Sequence, residues 1–357
     1  MENENHNPYA FEVGMYRPPS EGGSDSLLLR FTRNCPWNKC TFCGMYKHEE
    51  FSLRSVDEIK QDIDSIAQLC TDMQILSEKH GYGGMINRDV IIAMIEKAPE
   101  LNNSTTFVMA LNWISAGGRT VFLQDANSLM MASDKLVSVL SYLRAALPSI
   151  ERVTTYARSK TLSRKPLDEL IAIRKAGLDR LHVGLETGDD TLLKMVKKGV
   201  TSKEHIAGGR KAMEAGFQLS EYWMPGLGGK EMWENHAKNT AYVLNHINPH
   251  YIRSRPFNTP PGTPVEDEQG PKRLTLLSPE EQLIELKLMV SELDVTSKLC
   301  FDHNGNYWVN RKGRLLFTQS YEGYPFPEQK PLVLKLIDEG IIAQAGKTDT
   351  RYLKIIR

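Results

Sequence analysis

The chain has 357 residues, and its 44 basic and 44 acidic residues give no formal net charge. This balance argues against a general nucleic-acid binder, which needs a basic surface. No apolar run approaches the roughly 20 residues of a membrane span. Five cysteines and no signal sequence at Met1–His6 predict a cytoplasmic protein.

Apolar strand-like segments alternate with helix-like segments along most of the chain. The helix-like segments carry end signals, namely Ser133 placed to cap one helix, the capping box of Thr201 and Glu204, and the closing glycine Gly177. Six strand–helix units predict a parallel sheet with helices outside, and a doubly wound sheet and a barrel both fit. The predicted strands are SLLLRFT (26–32), TVFLQDAN (120–127), RVTTYAR (152–158), LHVGLE (181–186), QLSEYWMP (218–225) and YIRSRPF (251–257).

The predicted units divide the chain into three parts. We expect an N-terminal arm over residues 1–25, the repeating α/β part over 26–258 and a C-terminal extension over 259–357 that covers the mouth of the fold. Residues 71–119 are too long for a bare loop and are predicted to add one or two helices.

Three cysteines, Cys35, Cys40 and Cys43, follow the first predicted strand. Thiolates are soft ligands for iron or zinc, and three of them leave one corner of a four-coordinate site open. A [4Fe–4S] cluster with one iron left for a small molecule is the first interpretation. Zinc with His48 as fourth ligand is an alternative, and so is a ferredoxin-type cluster with Cys70. Helical spacing makes Cys70 a predicted core residue instead.

Polar side chains gather where the predicted strands end. In parallel α/β folds the loops at the carboxyl ends of strands build the active site. The segments at such ends are the cysteine loop, Gln124–Asn127, Tyr156–Arg158, Glu186, Tyr222–Pro225 and Arg253–Phe257. We therefore expect these segments to converge on one site.

The cysteine loop and two later segments resemble the radical S-adenosylmethionine (radical SAM) superfamily. Phe42 precedes the third cysteine, as an aromatic residue does in that family. The stretch RKAGLDRLHVGLETGDDTLLKMVKKG (174–199) and MPGLGG (224–229) are similar to the branch that contains anaerobic coproporphyrinogen oxidase, its heme-chaperone relative, the Elongator catalytic subunit and methylthiotransferase-like enzymes. The segment YRPPSE (16–21) resembles a further group of the superfamily.

Two departures from the family pattern concern the loop and the second strand. The first cysteine gap has four residues instead of the family's usual three. The family's glycine-rich stretch, which approaches the methionyl amine, is Gln124–Asn127 here. Asp125 or a backbone carbonyl is the predicted acceptor for that amine.

The resemblance implies a partial (β/α)6 TIM-like barrel, a [4Fe–4S] cluster and SAM. It assigns the ribose to Glu186 and the SAM carboxylate to Lys198. The predicted cluster ligands are Cys35, Cys40 and Cys43. The predicted SAM contacts are Phe42, Asp125, Ala126, Tyr156, Glu186, Lys198 and Met224. The candidates for substrate or catalysis are Arg158, Tyr222, Arg253, Arg255, His303 and Asn306, and the three arginines suit a carboxylate or phosphate.

The implied activity is reductive cleavage of SAM to a 5′-deoxyadenosyl radical, which abstracts hydrogen from a small anionic organic substrate or cofactor precursor. Its partners would be that small molecule and an electron donor such as flavodoxin or ferredoxin, without membrane or nucleic acid. A heme-binding chaperone with His303 as axial ligand is the alternative from another class. An RNA-modifying radical SAM enzyme is the second alternative. The sequence does not decide between oxidoreductase, lyase and transferase.

Overall fold

The structure, a computed structural model, describes residues 7–14, 25–257 and 275–347. The segment Tyr16–Glu21 lies outside these ranges. The strands are β1 (Leu27–Leu29), β2 (Thr32–Arg33), β3 (Ser52–Leu53), β4 (Thr120–Leu123), β5 (Arg152–Ala157), β6 (Arg180–Glu186), β7 (Gln218–Trp223), β8 (Tyr251–Ser254), β9 (Lys298–Cys300) and β10 (Tyr324–Pro325). The α-helices are α1 (Val56–Lys79), α2 (Arg88–Lys97), α3 (Thr105–Ser115), α4 (Ser133–Ala146), α5 (Ser159–Arg164), α6 (Leu167–Lys175), α7 (Asp190–Met195), α8 (Ser202–Glu214), α9 (Gly229–Ile247), α10 (Pro279–Glu292) and α11 (Lys330–Gln344). None of the helices in the described ranges is long and apolar enough to cross a membrane.

The chain divides into two compact units that interleave along the sequence. The first unit comprises Met1–Asn34, Phe51–Tyr156 and Ile171–Arg180. The second unit comprises Cys35–Glu50, Ala157–Leu170 and Leu181–Arg357. The cysteine loop therefore belongs to the second unit, although the strand before it belongs to the first.

In the first unit, β1, β4 and β5 are parallel neighbours. Leu27 pairs with Val121 and Val121 pairs with Val153. All three residues of β1 are buried leucines, which is typical of a parallel strand covered on both faces. Helices α1 and α4 pack together beside these strands.

Two helices, α2 and α3, occupy much of residues 71–119. Asn87 caps α2 by accepting from the amide of Val90 at 3.1 Å, and Ser104 caps α3 by accepting from Phe107 at 3.2 Å. Such caps satisfy amides that have no partner within the helix. The predicted cap at Ser133 is wrong, because α4 begins at that residue and the N-cap position is Ala132.

In the second unit, the strands follow the order β6, β7, β8, β9, β10. Strands β7, β8 and β9 are parallel, with Ser220 opposite Tyr251 and Tyr251 opposite Lys298. Strand β10 is antiparallel to β9. Helices α9, α10 and α11 pack in sequence, α10 against both of its neighbours.

Strand β9 is an addition to the six strands that the sequence predicts. It lies in the C-terminal extension and continues the parallel series beside β8. The predicted α/β class, with mostly parallel strands connected by helices, is confirmed.

Candidate functional site

The cysteine loop is shaped by hydrogen bonds among its own residues. The amide of Asn38 donates to Sγ of Cys35 at 3.3 Å, and the amide of Cys43 donates to the carbonyl of Cys40 at 3.4 Å. The ammonium group of Lys47 donates to the carbonyl of Cys40 at 2.7 Å. The bond from Asn38 reaches a thiol, whereas the other two fix the backbone of the loop at Cys40.

The loop is anchored beside α7 by backbone and apolar contacts. The amide of Thr41 donates to the carbonyl of Val196 at 3.0 Å. Phe42 is buried against Val196 and Leu227, and the side chains of Cys40, Cys43 and Met224 contact this apolar cluster. Two predicted SAM contacts, Phe42 and Met224, are thus brought together next to two of the cysteines.

Burial raises the pKa of the thiols of Cys40 and Cys43 above the ordinary value. The positive charge of Lys198 opposes this shift at both thiols, and Glu186 reinforces it. Metal binding requires thiolates, so these two groups release protons when they become ligands. The positive charge of Lys198 makes this loss of protons easier.

Glu186 and Lys198 form an ion pair that is nearly removed from water. Nζ of Lys198 lies 2.7 Å from Oε1 of Glu186, and each side chain is 12% exposed. Burial disfavours the ammonium charge of Lys198, but Glu186 and Cys40 outweigh it and raise the pKa of Lys198. Glu186 has a φ of 62°, a left-handed conformation that non-glycine residues adopt at a cost.

Gly184 makes room for this ion pair. A Cβ at this position would lie 2.2 Å from Oε1 of Glu186 and 2.9 Å from Nζ of Lys198. Gly184 is not among the site residues predicted from the sequence. Its place two residues before a strand-end carboxylate was the available signal.

Arg158 and Trp37 contact each other and the segment that follows α7. The guanidinium of Arg158 lies 5.0 Å from the centroid of the Trp37 ring and donates to the carbonyl of Lys198 at 2.8 Å. The indole of Trp37 donates to the carbonyl of Lys197 at 2.7 Å. Burial lowers the pKa of Arg158, and the thiolates of Cys35 and Cys40 oppose this shift. Arg158 is therefore a charge partner of the thiols, whereas the sequence placed it among the substrate candidates.

A buried carboxyl group on β7 was missed by the sequence analysis. Within the described residues, neither side-chain oxygen of Glu221 has a hydrogen-bond partner. Burial, reinforced by Glu186 and opposed by Lys198, raises the pKa of Glu221 well above its ordinary value. The protonated form of this acid is therefore favoured beside the Glu186–Lys198 pair.

The glycine-rich turn after β7 is held by Glu285 of α10. The amide of Gly226 donates to Oε2 of Glu285 at 2.5 Å, and Gly226 has a φ of 84°. This positive φ is a left-handed conformation that glycine adopts at no steric cost. Burial raises the pKa of Glu285 to about 8.

The raised pKa of Glu285 predicts that the protein loses stability as the pH rises from about 5 to 8. The unfolded chain ionises this carboxyl near pH 4, whereas the folded protein keeps it protonated up to about pH 8. The stabilisation of the folded state by this group is therefore complete below pH 4 and is lost as the pH rises through 8. In this pH range, the ionisation of Glu285 lowers the free energy of unfolding by up to about 1.4 kcal/mol per pH unit. Urea unfolding at several pH values measures the slope. Glu285→Gln reduces it, and an unchanged slope in this variant would contradict the assignment.

Arg253 is a structural residue of the second unit. Its guanidinium donates to Ser220 at 3.0 Å, to Asp302 at 2.9 Å and to the carbonyl of Tyr321 at 3.1 Å. The residue is 1% exposed. These bonds use three of the five N–H groups of the guanidinium, and the role of Arg253 in clamping a substrate anion stays a prediction.

Arg255 differs from Arg253 in exposure and in its partners. Its guanidinium donates to Oδ2 of Asp302 at 3.1 Å and lies 4.6 Å from the centroid of the Tyr222 ring. The Arg255 side chain is 12% exposed. The structure thus brings two predicted substrate residues into contact, because the guanidinium of Arg255 stacks on the ring of Tyr222.

The two candidates of the C-terminal extension serve its backbone. The side-chain oxygen of Asn306 accepts from Ser254 at 2.9 Å, and its amide nitrogen donates to the carbonyl of Ser254 at 2.9 Å. Nδ1 of His303 accepts from the amide of Gly305 at 3.1 Å. Burial lowers the pKa of His303 to about 4, so the ring is neutral at pH 7. Asn306 is a buried link between β8 and the extension, and a substrate role for it stays a prediction.

Three predicted SAM contacts lie in the first unit. The carboxylate of Asp125 lies 2.6 Å from Nε of Arg30, and Asp125 has a φ of 68°. The amide of Ala126 donates to the carbonyl of Asn34 at 3.4 Å. The ring of Tyr156 packs edge-on against Phe122. Arg30 already neutralises Asp125, and the three SAM contacts remain predictions.

Comparison with known proteins shows the family of the chain. The sequence model of the radical SAM superfamily matches residues 29–238, which is more than half of the chain. No curated protein matches the chain in sequence.

Several solved structures are similar to this chain at low sequence identity. Coproporphyrinogen III oxidase (HemN) from Escherichia coli is 15% identical, with a TM-score of 0.46, and the match covers 74% of this chain and 51% of that one. Methylornithine synthase (PylB) is 15% identical, with a TM-score of 0.44 and coverage of 77% and 66%. Elp3 from the archaeon Methanocaldococcus infernus is 15% identical, with a TM-score of 0.42 and coverage of 69% and 57%. This chain spans about two thirds or less of each of these structures.

The residues within the matched range fit the cofactors of the family. Cys35, Cys40 and Cys43 stand on one short loop, and thiolates of such a loop each bind a different iron of a cluster. Within the described ranges, no group of three His, Cys, Asp or Glu side chains is arranged around a single metal ion. A cluster does not need that arrangement, because its ligands surround four metals. The chain belongs to the radical SAM superfamily, whose members bind a [4Fe–4S] cluster and S-adenosylmethionine.

Proposed function

We propose that this enzyme abstracts a hydrogen atom from a small anionic organic substrate or cofactor precursor. The observation that carries the proposal is Arg255, which is stacked on Tyr222 and paired with Asp302 at the end of β8. Its Nη1 donates to the carbonyl of Ser254 and to Asp302, and its Nη2 donates to Asp302. The N–H groups that these bonds do not use can donate to a carboxylate or phosphate group. The positive charge of Arg255 favours an anionic substrate, and the neighbouring Tyr222 ring favours an organic one.

The cofactors would be held by residues of the second unit. Cys35, Cys40 and Cys43 would bind three irons of the cluster. When bound and reduced, the cluster supplies the electron that splits SAM into methionine and a 5′-deoxyadenosyl radical. Phe42 and Met224 offer an apolar surface next to Cys40 and Cys43, which excludes water from the reacting bond.

The Glu186–Lys198 pair would orient SAM. Lys198 donates one hydrogen bond to Glu186, and an ammonium group has two further donors for the carboxylate of SAM. Glu186 has a second oxygen that can accept from the ribose hydroxyls. Because each charge fixes the other, both groups are preorganised before SAM binds.

Deuterium transfer into 5′-deoxyadenosine tests the proposed substrate class. An extract of cells grown in heavy water is first divided by ultrafiltration into small molecules and macromolecules. Reconstituted enzyme is then incubated anaerobically with SAM, dithionite and one of the two fractions. We expect labelled 5′-deoxyadenosine from the small molecules that an anion exchanger retains. Arg255→Met lowers the label about 10- to 100-fold, the loss expected for a hydrogen bond between charged groups. Label that comes from the macromolecules and disappears after ribonuclease treatment would establish the RNA-modifying alternative.

The heme-chaperone alternative depended on His303 as an axial ligand. In the structure one ring nitrogen of His303 accepts from the amide of Gly305. The enzyme class follows from the family, and no contact of His303 in the described part of the chain favours a carrier function over it. We therefore keep His303 as a residue of the extension and propose no heme site.

A further inference from the structure

A basic groove lies beside the cysteine loop in the second unit. It has a volume of about 620 Å³ and is lined by residues of the loop, including Trp37 and Lys39, and by the segment that follows α7. Three further lysines, Lys160, Lys194 and Lys197, also line it. Four lysines on one groove are a local exception in a chain whose total charge is balanced.

The two acidic residues of the groove are engaged by the protein itself. The carboxylate of Asp190 accepts from the amide and the hydroxyl of Ser202. Glu204 closes the capping box of α8 and pairs with Lys160 at 3.3 Å. Within the part of the chain that the structure describes, Lys39, Lys194 and Lys197 have no ion-pair partner. All three are exposed, so the surface they offer is cationic.

The groove is connected to the predicted cluster through Trp37. This side chain lines the groove, and its ring contacts two cations, Nζ of Lys39 at 5.1 Å and the guanidinium of Arg158 at 5.0 Å from the centroid. Arg158 in turn interacts electrostatically with the thiols of Cys35 and Cys40. Gly199 allows this packing, because a Cβ there would lie 2.2 Å from the Trp37 ring. Trp37 and Arg158 therefore link the groove to the thiols.

We propose that this groove docks a small acidic redox protein that delivers the electron to the cluster. The proposal rests on the radical SAM function, since that chemistry requires an electron from outside the protein. Lysines at the rim of an interface steer an acidic partner and accelerate its association. The position of the groove against the cysteine loop would give the electron a short path from the partner to the cluster.

Charge reversal at two lysines tests the docking surface. The probe is an acidic flavodoxin, whose binding to the reconstituted holoenzyme is measured by biolayer interferometry at several salt concentrations. We expect that Lys194→Glu combined with Lys197→Glu raises the dissociation constant at least about tenfold and flattens its dependence on salt. The rate of cluster reduction by reduced flavodoxin should fall in parallel, whereas dithionite should support the same yield of 5′-deoxyadenosine in both proteins.

A matched variant, Lys312→Glu with Lys335→Glu, reverses the same number of charges at exposed positions that do not line the groove, and it serves as the control. Flavodoxin binding that is unaffected by the groove variant, or weakened equally by the control, would overturn the proposal. Failure of both dithionite and flavodoxin to yield 5′-deoxyadenosine would instead count against the enzyme function. Circular dichroism verifies that the groove variant is folded. If the groove variant does not fold, Lys194→Gln with Lys197→Gln removes the same charges, and we expect the same weaker binding and slower cluster reduction from it.

Discussion

Replacing Cys40 by serine removes the iron–sulfur cluster and with it all cleavage of SAM. A serine hydroxyl is a poor replacement for a thiolate that must bind iron, and Cys40 is one of three ligands on the loop. Iron and sulfide analysis after anaerobic reconstitution, together with the absorbance of the cluster, measures the loss. Wild-type protein should hold about four irons per chain, the number in one cluster.

The chain offers two matched controls for this variant. Cys70 and Cys300 lie outside the loop, and burial raises their pKa to about 11 and about 12. Thiols that stay protonated at neutral pH are poor ligands. Cys70→Ser and Cys300→Ser should therefore keep the iron content of the wild type. Loss of iron in Cys70→Ser would point to the four-cysteine alternative.

Replacing Lys198 by methionine abolishes SAM binding and destabilises the fold. Methionine preserves much of the length of the side chain but leaves Glu186 buried without its cation, and breaking a buried pair in this way costs about 3–5 kcal/mol. The dissociation constant for SAM, measured by calorimetry, and urea unfolding report the two effects. Lys194→Met, an exposed position on α7, is the control and should change neither.

Gly184→Ala tests the same ion pair without removing a charge. Its Cβ would overlap with Oε1 of Glu186, so the two charged groups must move apart or turn. We expect the dissociation constant for SAM to rise at least about tenfold, which corresponds to about 1.4 kcal/mol. Unchanged SAM affinity in the Gly184→Ala enzyme would show that the pair does not position SAM.

The sequence predicts well the features that depend on neighbouring residues. Thr201 and Glu204 form the predicted capping box, and Gly177 has the positive φ expected of a helix-closing glycine. Both signals act within a few residues, so a local pattern is sufficient to find them. The same holds for the order of the six strands before residue 258, which alternate with helices in a regular way.

Partners that are distant in the sequence could not be predicted. Arg253 and Arg255 look equivalent, since they are two residues apart at the end of one strand. Asp302, nearly 50 residues later, binds both and buries one of them far more deeply than the other. Strand β9, which carries the chain to Asp302, has three residues and is too short for its pattern to be recognised.

Aromatic and acidic residues of the site were missed for the same reason. Trp37 is close to two cysteines in sequence, but its role follows from Arg158 and Gly199, which come from elsewhere in the chain. Glu285 holds the turn at Gly226 from a helix about 60 residues away. Tertiary packing, which the sequence pattern does not encode locally, decides these contacts.

The most direct test is the product of SAM after one-electron reduction of the reconstituted protein. Anaerobic protein is mixed with SAM and dithionite, and methionine and 5′-deoxyadenosine are quantified by mass spectrometry. Reductive cleavage predicts equal amounts of the two products, formed only when both reductant and cluster are present. A folded protein that holds about four irons and binds SAM but releases no 5′-deoxyadenosine would contradict the account.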